Sequence, residues 1–361
     1  MYAKVSNIDA CRTSPELLRA KAFGPDNTYL SPYHLRRVYL GSSNTTGSRL
    51  FFATDVHGSE ICFLKFLNSA KTYNADSLIL GGDLTGKNLV PIVKGVNGKY
   101  RANFLGTERL LNSEEDVAVL ERRISSIGSY SYRVDSNGLA ELQADEAKLD
   151  TLFSQLMVER LSRWVSLAEE RLRGSGIKIY MTGGNDDPFI IDDVLESSSI
   201  ILDPEGMVVD IDGFHEMLAC AFTNPTPWKT PRELTEEELY AKLSALVREV
   251  SVPSRCIFNI HAPPHASGLD MCQQIGADFR PIFIHGQPAM TSAGSTSVRR
   301  VIEETQPLLG LHGHIHESRG SATIVRTVCL NPGSEYAEGI LRGVIVNLEG
   351  DRVRNYLFAS G

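Results

Sequence analysis

No run of apolar residues in this chain approaches the length needed to cross a bilayer. The opening stretch, Met1 to Asp9, carries no apolar segment of the kind a secretory signal needs, so a cytoplasmic protein without a membrane partner is expected. The six cysteines (Cys11, Cys62, Cys220, Cys256, Cys272 and Cys329) are scattered and contain no C-x-x-C pair. That spacing argues against a structural zinc site and reads as reduced, partly buried thiols. Glycine pairs occur, but none fits G-x-G-x-x-G or the P-loop pattern, so they cradle no nucleotide. Positive charge is in deficit: 36 basic residues stand against 44 acidic ones, a net charge of -8. No tract interleaves basic and aromatic residues, and broad binding to nucleic acid or anionic membrane is disfavoured. Internal repeats and low-complexity segments are absent.

What remains is ordinary globular material, 42% hydrophobic and 22% charged over 361 residues. A single large α/β domain with insertions accommodates that length. Residues 1–47 read as an amino-terminal extension closed by the polar linker Gly41 to Ser48, and residues 48–361 as the domain proper. Strand Arg49–Thr54, a helix from about Ser59 to Tyr73 and strand Ser77–Leu80 open it with a βα rhythm. That rhythm breaks between about 87 and 142, where a hairpin turn at Gly95–Tyr100, a short helix opened by Asn112–Asp116 and a strand over Ser129–Val134, ending before an Asn137-Gly138 turn signal, suggest an insertion near the mouth of the site. A long helix from about Ala144 to Arg173 stops at Gly174-Ser175-Gly176. Further strands are expected at Ile177–Thr182, Ile200–Leu202, Met207–Asp210, Met217–Phe222, Cys256–Ile260, Leu308–His312, Ala322–Cys329, Gly343–Asn347 and Arg352–Leu357. Helices are expected at about Thr235–Val250 and Thr296–Thr305.

Five of the apolar runs end in residues able to bind a hard or borderline cation: Asp55 and His57, Asp83, Asn185, His261, then His314 and His316. In α/β sheets the loops beyond the carboxyl ends of strands carry reactive groups. Seven donors from five loops exceed what one metal needs and match two cations that share a carboxylate. Asp83 is the expected bridge, because it stands alone and glycines on its amino side allow close approach. Two cations roughly 3.5–4 Å apart form the clamp used for in-line displacement at phosphorus.

Taken in order, Asp55-Val56-His57, Gly82-Asp83-Leu84-Thr85-Gly86, Gly184-Asn185-Asp186-Asp187, His261 and Gly313-His314-Ile315-His316 resemble the motif set of the calcineurin-like metallophosphoesterase superfamily, over about Arg49 to Val353. Gly-Gly-Asn-Asp-Asp-Pro, His-Ala-Pro-Pro, Gly-His-Ile-His-Glu and Asn331-Pro332-Gly333-Ser334 look closest to its Icc-related branch of predicted phosphoesterases. The resemblance implies a metallophosphoesterase-like, four-layer α/β fold: two mixed β-sheets packed as a sandwich flanked by helices. It implies one metal held by Asp55, His57, Asp83 and His316, and a second held by Asp83, Asn185, His261 and His314. The ions expected are manganese, iron or zinc, with a hydroxide bridging them as nucleophile. One position departs from the family: Asp186 stands where a His usually serves the leaving oxygen. A carboxylate acts as general acid only if its pKa is raised, whereas two nearby dications pull it down. Asp186 and Asp83 are the expected catalytic residues.

Other residues divide between structure and substrate. His265 follows a double proline and suits substrate contact and loop capping equally. Arg319 follows His316 closely and could bind phosphate bidentately or sit on a surface turn. His312 is expected to pack in its strand, His285 to belong to a loop, and His34 and His215 have no supporting context. Asp187 is placed to support Asn185, and Asn331-Pro332-Gly333-Ser334 reads as a turn near the site. The expected activity is metal-dependent hydrolysis of a small phosphate ester, a diester rather than a monoester. The alternatives are a nuclease of the same superfamily and a binding scaffold that has lost catalysis.

Overall fold

The computed structural model describes residues 47–361, so the expected amino-terminal extension lies, Gly47 apart, outside the described residues. Two six-stranded sheets organise the rest. The first runs, edge to edge, Arg352–Ser360, Arg342–Glu349, Gly47–Ala53, Ser77–Gly81, Lys178–Thr182 and Ile201–Leu202. The second runs Gly320–Ile324, Thr327–Asn331, Leu309–Leu311, Cys256–Ile260, Glu216–Cys220 and Val208–Asp210. Both are mixed: the second has a parallel centre and two antiparallel edges, whereas the first is antiparallel on its Arg352–Ser360 side and parallel from Gly47–Ala53 through to its Ile201–Leu202 edge.

Alternation along each central strand explains the layers. Leu50 and Phe52, Ile79 and Tyr180 point between the sheets, where they meet Met217, Ile257, Leu309 and Leu311 of the second sheet. Their neighbours Phe51 and Ala53, Leu78 and Leu80, Ile179 and Met181 face the other way, onto helices Glu60–Tyr73, Glu146–Leu172 and Ile190–Glu196. In the second sheet Leu218, Cys220, Phe258 and Ile260 likewise meet Leu239, Leu243, Val298 and Ile302 of helices Glu236–Val247 and Thr296–Thr305. The result is helix, sheet, sheet, helix, as the motif resemblance implies. Strands buried on both faces explain the near-continuous apolar runs that end in the site residues. Among the described residues no helix is long and apolar enough to cross a membrane, and Cys62, Cys220, Cys256, Cys272 and Cys329 are free thiols.

The helix expected from about Ala144 to Arg173 is present as Glu146–Leu172, and its cap Asp145 accepts from Lys148 N at 3.1 Å. A helix just before it, Ser136–Ala144, is not among those expected, and two local expectations need correction. Asn137-Gly138 makes no turn: Asp135 caps the first helix there by accepting from Gly138 N at 2.7 Å. The single strand expected over Ala322–Cys329 is an antiparallel hairpin, Gly320–Ile324 with Thr327–Asn331. Its turn passes through Val325 at a φ of 57°, a conformation β-branched residues rarely adopt.

Between Lys87 and Asp135 the chain builds a four-stranded sheet of its own, ordered Thr107–Leu111, Tyr100–Phe104, Leu89–Lys94 and Tyr130–Asp135. Helix Glu114–Ser126 covers it through Val117, Leu120 and Ile124. Tyr130 ties this unit to the main domain: its hydroxyl accepts from Gly86 N at 3.0 Å and its own N donates to Asn88 O at 2.8 Å. Arg160 lies over the Tyr130 ring at 4.6 Å and donates to Gly58 O and Ser129 O. Gly128, at a φ of 84°, presses so closely on the His57 loop that a Cβ would stand 2.1 Å from His57 O. A Gly128→Ala variant is therefore expected to lose roughly 3 kcal/mol of stability, within the usual range for backbone strain plus overpacking. Chemical denaturation followed by circular dichroism measures it, and a loss below about 1 kcal/mol would show that the loop yields freely.

Candidate metal centre

The five motif-bearing loops meet at one end of the two sheets. Asp55 and His57 follow Gly47–Ala53, Asp83 follows Ser77–Gly81, and Asn185 follows Lys178–Thr182. His261 follows Cys256–Ile260, and His314 and His316 follow Leu309–Leu311. Asp55, His57, Asp83 and His316 offer ligand atoms that all lie within 4.8 Å of one another and can hold a metal ion. Within this group His57 Nε2 is 3.1 Å from His316 Nε2 and 3.5 Å from Asp83 Oδ2, and His316 Nε2 is 3.3 Å from Asp55 Oδ1. The remaining donors lie on the other side of Asp83. His261 Nε2 is 3.4 Å from Asp83 Oδ1, and His314 Nδ1 is 2.7 Å from Asn185 Oδ1.

The backbone here is bent into unfavourable conformations. Asp55, His57, Asp83 and His314 all have positive φ, between 41° and 68°. Such values in non-glycine residues cluster where a site must aim its side chains. Backbone bonds hold the bends: Asp55 N donates to Gly82 O, His57 N to Asp83 O and Gly58 N to Leu84 O, at 2.7–2.9 Å. His314 N donates to both oxygens of Asp55, at 3.1 and 3.2 Å. Glycines permit the crowding, since a Cβ on Gly184 would stand 2.2 Å from Asp83 Oδ1 and one on Gly313 2.5 Å from Asp55 Oδ2.

The donors fit cations on two observations. His57 and His316 bring Nε2 to Nε2, so at most one of the facing atoms can donate; a shared cation accepts both lone pairs. His261 Nε2 is buried without a hydrogen-bond partner, while its Nδ1 is bound to Gly81 O at 3.0 Å, so that in the neutral ring the lone pair falls on Nε2. Asn185 is oriented the same way: its amide nitrogen donates to Thr230 Oγ1 at 2.9 Å, turning Oδ1 towards His314. Thr230 in turn donates to Glu233 at 2.7 Å.

Burial and the crowding of like charge shape the electrostatics. Asp83 is pushed up to about 6, first by burial and then by the Asp186 carboxylate. Burial opposes charge on His261, but Asp83 and Asp55 outweigh it and raise that imidazole to about 9. Burial takes His314 down to about 3 and, with Lys87 acting in the same direction, holds His57 well below its usual value. Asp186 is partly buried, yet its ion pair with the Lys87 ammonium keeps it below the usual carboxylate range. An ionised Asp186 has no proton to give a leaving oxygen.

The expected supporting residues take definite places. No hydrogen bond joins Asp187 to the Asn185 side chain. Asp187 accepts instead from Gly184 N, Leu84 N, Thr85 N and Thr85 Oγ1, at 2.6–2.8 Å, joining the Asp83 and Asn185 loops. The turn after Asn331 braces the last motif: Asn331 Nδ2 donates to Ile315 O at 3.0 Å and Ser334 Oγ to Asp55 O at 2.6 Å. His312 is buried beneath the site with Nδ1 against Ile260 O at 2.9 Å. His215 is bound at both nitrogens, by Asp212 and Gly350 O. His285 sits exposed at a hairpin tip, and His34 lies outside the described residues.

His265 stands apart from the seven donors, with Nδ1 3.4 Å from Ser292 Oγ and 3.8 Å from Asp270 Oδ2. Arg319 lays its guanidinium over the Phe358 ring at 4.9 Å. Two residues not foreseen from the sequence enter the site, Tyr336 against the donors and Lys87 against Asp186. Tyr336 packs its ring on His57 and His316, with centroids 4.6 and 5.9 Å away. Lys87 pairs with Asp186. The only signals for them were their places, Lys87 directly after Gly86 and Tyr336 just past the Asn331 turn.

No family model matches the chain. An uncharacterized protein of Methanocaldococcus jannaschii is 31% identical over 159 residues, 43% of this chain and 64% of that relative, so the chain matches less than two thirds of its length. One crystal structure superposes with a TM-score of 0.53 at 14% identity, covering 87% of this chain and 98% of the other. An archaeal phosphodiesterase aligns over 87% of this chain and 99% of its own, at 12% identity and a TM-score of 0.34. At that identity the likeness is one of fold, in keeping with two mixed sheets packed between helical layers.

Proposed function

We propose that the chain is a metal-dependent hydrolase of phosphate esters, acting on a small diester in preference to a monoester, in the manner of the Icc-related branch, and working in the cytoplasm. The observation that carries this reading is the convergence of Asp55, His57, Asp83 and His316, whose ligand atoms all lie within 4.8 Å of one another, with His57 and His316 only 3.1 Å apart at Nε2. Asp55, His57, Asp83 and His316 would hold one cation, and Asp83, Asn185, His261 and His314 a second, with manganese, iron or zinc suited to this mixture of nitrogen and oxygen donors. When bound, such a pair supplies Lewis acidity and a water acidic enough to attack at neutral pH.

The chain's own residues set the rest. Asp83 presents one oxygen towards each group of donors. Tyr336 shields one side of the His57 and His316 rings. No serine or cysteine is needed as nucleophile. The acidic composition favours a small phosphoester over nucleic acid.

Metal analysis of the purified protein, paired with a screen of phosphomonoesters, cyclic nucleotides and aryl phosphodiesters, tests the proposal. Close to two ions per chain are expected, with diester turnover that chelation abolishes and Mn²⁺ restores. Stoichiometric metal without turnover on any ester would point to a binding scaffold, and digestion of single-stranded DNA to a nuclease.

A further inference from the structure

The family position for the residue that serves the leaving oxygen is occupied by an acid, and the structure places a cation on that acid. Lys87 Nζ is ion-paired with Asp186 Oδ2. Asp186 is itself fixed beside the donors, its N donating to Asp83 Oδ1 at 3.0 Å and its Oδ1 accepting from Asn185 Nδ2 at 3.2 Å. The lysine backbone is held on both sides by a single residue, because Tyr130 binds Gly86 through its hydroxyl and Asn88 through its N. The side chain nonetheless stays open to solvent, with 43% of it exposed against 18% for Asp186. An ammonium has three donors; Asp186 takes one and leaves others free to face a ligand.

Resting on the phosphoesterase reading above, we propose that Lys87 is a catalytic residue of this site, placed by Asp186 to donate an N–H to the ester oxygen as it departs. In diester hydrolysis the oxygen of water bonds to phosphorus and its proton passes to solvent, while the bond to the ester oxygen breaks and that oxygen leaves with the electron pair. Lys87 stabilises this negative charge without surrendering its proton, and the departing alkoxide is protonated by solvent. The pair thus divides the work of one imidazole: Asp186 positions, and Lys87 carries the charge. A surface ion pair of merely structural value would contribute little, because exposed pairs are weak.

The test uses Lys87→Met and Lys87→Arg in the full chain loaded with Mn²⁺, on two aryl phosphodiesters whose leaving groups differ, phenolate and 4-nitrophenolate. Lys87→Met is expected to lower kcat on the phenyl ester about a hundredfold, the size of effect seen for one lost electrostatic donor. On the 4-nitrophenyl ester, whose leaving oxygen is already stabilised, the loss is expected to be under about tenfold, and Lys87→Arg is expected to recover part of both. Equal losses on the two esters, or losses below about threefold, would overturn the proposal. Calorimetric binding of inorganic phosphate to the same Mn²⁺-loaded proteins separates this from failure of the parent reading. Phosphate bound roughly tenfold more weakly by Lys87→Met supports the contact even if wild type turns over neither ester. Equal affinity, or no binding by wild type, counts against it.

Discussion

Asp83→Ala is expected to abolish ester hydrolysis and, with it, the rise in thermal midpoint that Mn²⁺ gives the wild-type protein. The geometry singles this residue out. Its two oxygens face different partners, Oδ2 lying 3.5 Å from His57 Nε2 and Oδ1 3.4 Å from His261 Nε2, whereas Asp55 presents the same Oδ1 to His316 and His261. Removing Asp83 therefore removes a donor from both sets at once. A single lost electrostatic donor lowers turnover roughly 10²–10³-fold, so the loss here should exceed a thousandfold. Stabilisation by ligand follows mass action, about 2.7 kcal/mol at a hundred times the dissociation constant, and it vanishes when affinity does. Two readouts on one variant, turnover and metal-dependent melting, keep a folding defect apart from a binding defect. If Asp83→Ala still melts higher with Mn²⁺ and hydrolyses a nitrophenyl phosphodiester, the shared-carboxylate arrangement is wrong.

The donors were legible because each ends an apolar strand, and strands buried on both faces leave polar side chains only at their ends. What pairs with them was not. Lys87 and Asp186 are separated by nearly a hundred positions, and nothing local to either predicts the contact. Their meeting depends on Ser77–Gly81 lying beside Lys178–Thr182 in the sheet, a fact of topology. The same holds for Gly128, whose requirement for glycine comes from the carbonyl of His57 rather than from its own neighbours. Local misreadings had local causes. Ile324-Val325-Arg326-Thr327-Val328 has no turn residue, so the hairpin there hid within an apparently continuous strand. Asn137-Gly138 looked like a turn because the Asp135 cap was not weighed against it. His265 drew notice by following a double proline and Arg319 by its closeness to His316; the first borders Ser292 and Asp270, and the second lies on Phe358.

Asp187 carries a second large effect, through structure rather than contact with substrate. Its carboxylate is fully buried and accepts four hydrogen bonds, from Gly184 N, Leu84 N, Thr85 N and Thr85 Oγ1. Those donors belong to the loops that aim Asp83 and Asn185. Alanine would leave three backbone N–H groups and a hydroxyl buried without an acceptor, each worth about 1–3 kcal/mol of lost solvation, though such terms do not add fully. A net destabilisation of roughly 4 kcal/mol is expected for Asp187→Ala, the range of a broken buried network. Asparagine keeps one acceptor oxygen and should lose about half as much. Arg232 narrows the escape routes, because its Nε donates to Asp187 O and its own N to Asn185 O, so the chain on either side cannot swing away to find water. Loosening the Asp83 and Asn185 loops should also weaken Mn²⁺ affinity by about 10–100-fold, as loss of groups that hold metal ligands commonly does. Urea unfolding and metal titration of the folded fraction read the two effects separately. A variant that unfolds like wild type, or folds less stably yet binds Mn²⁺ unchanged, would show that the two loops hold their geometry without this carboxylate.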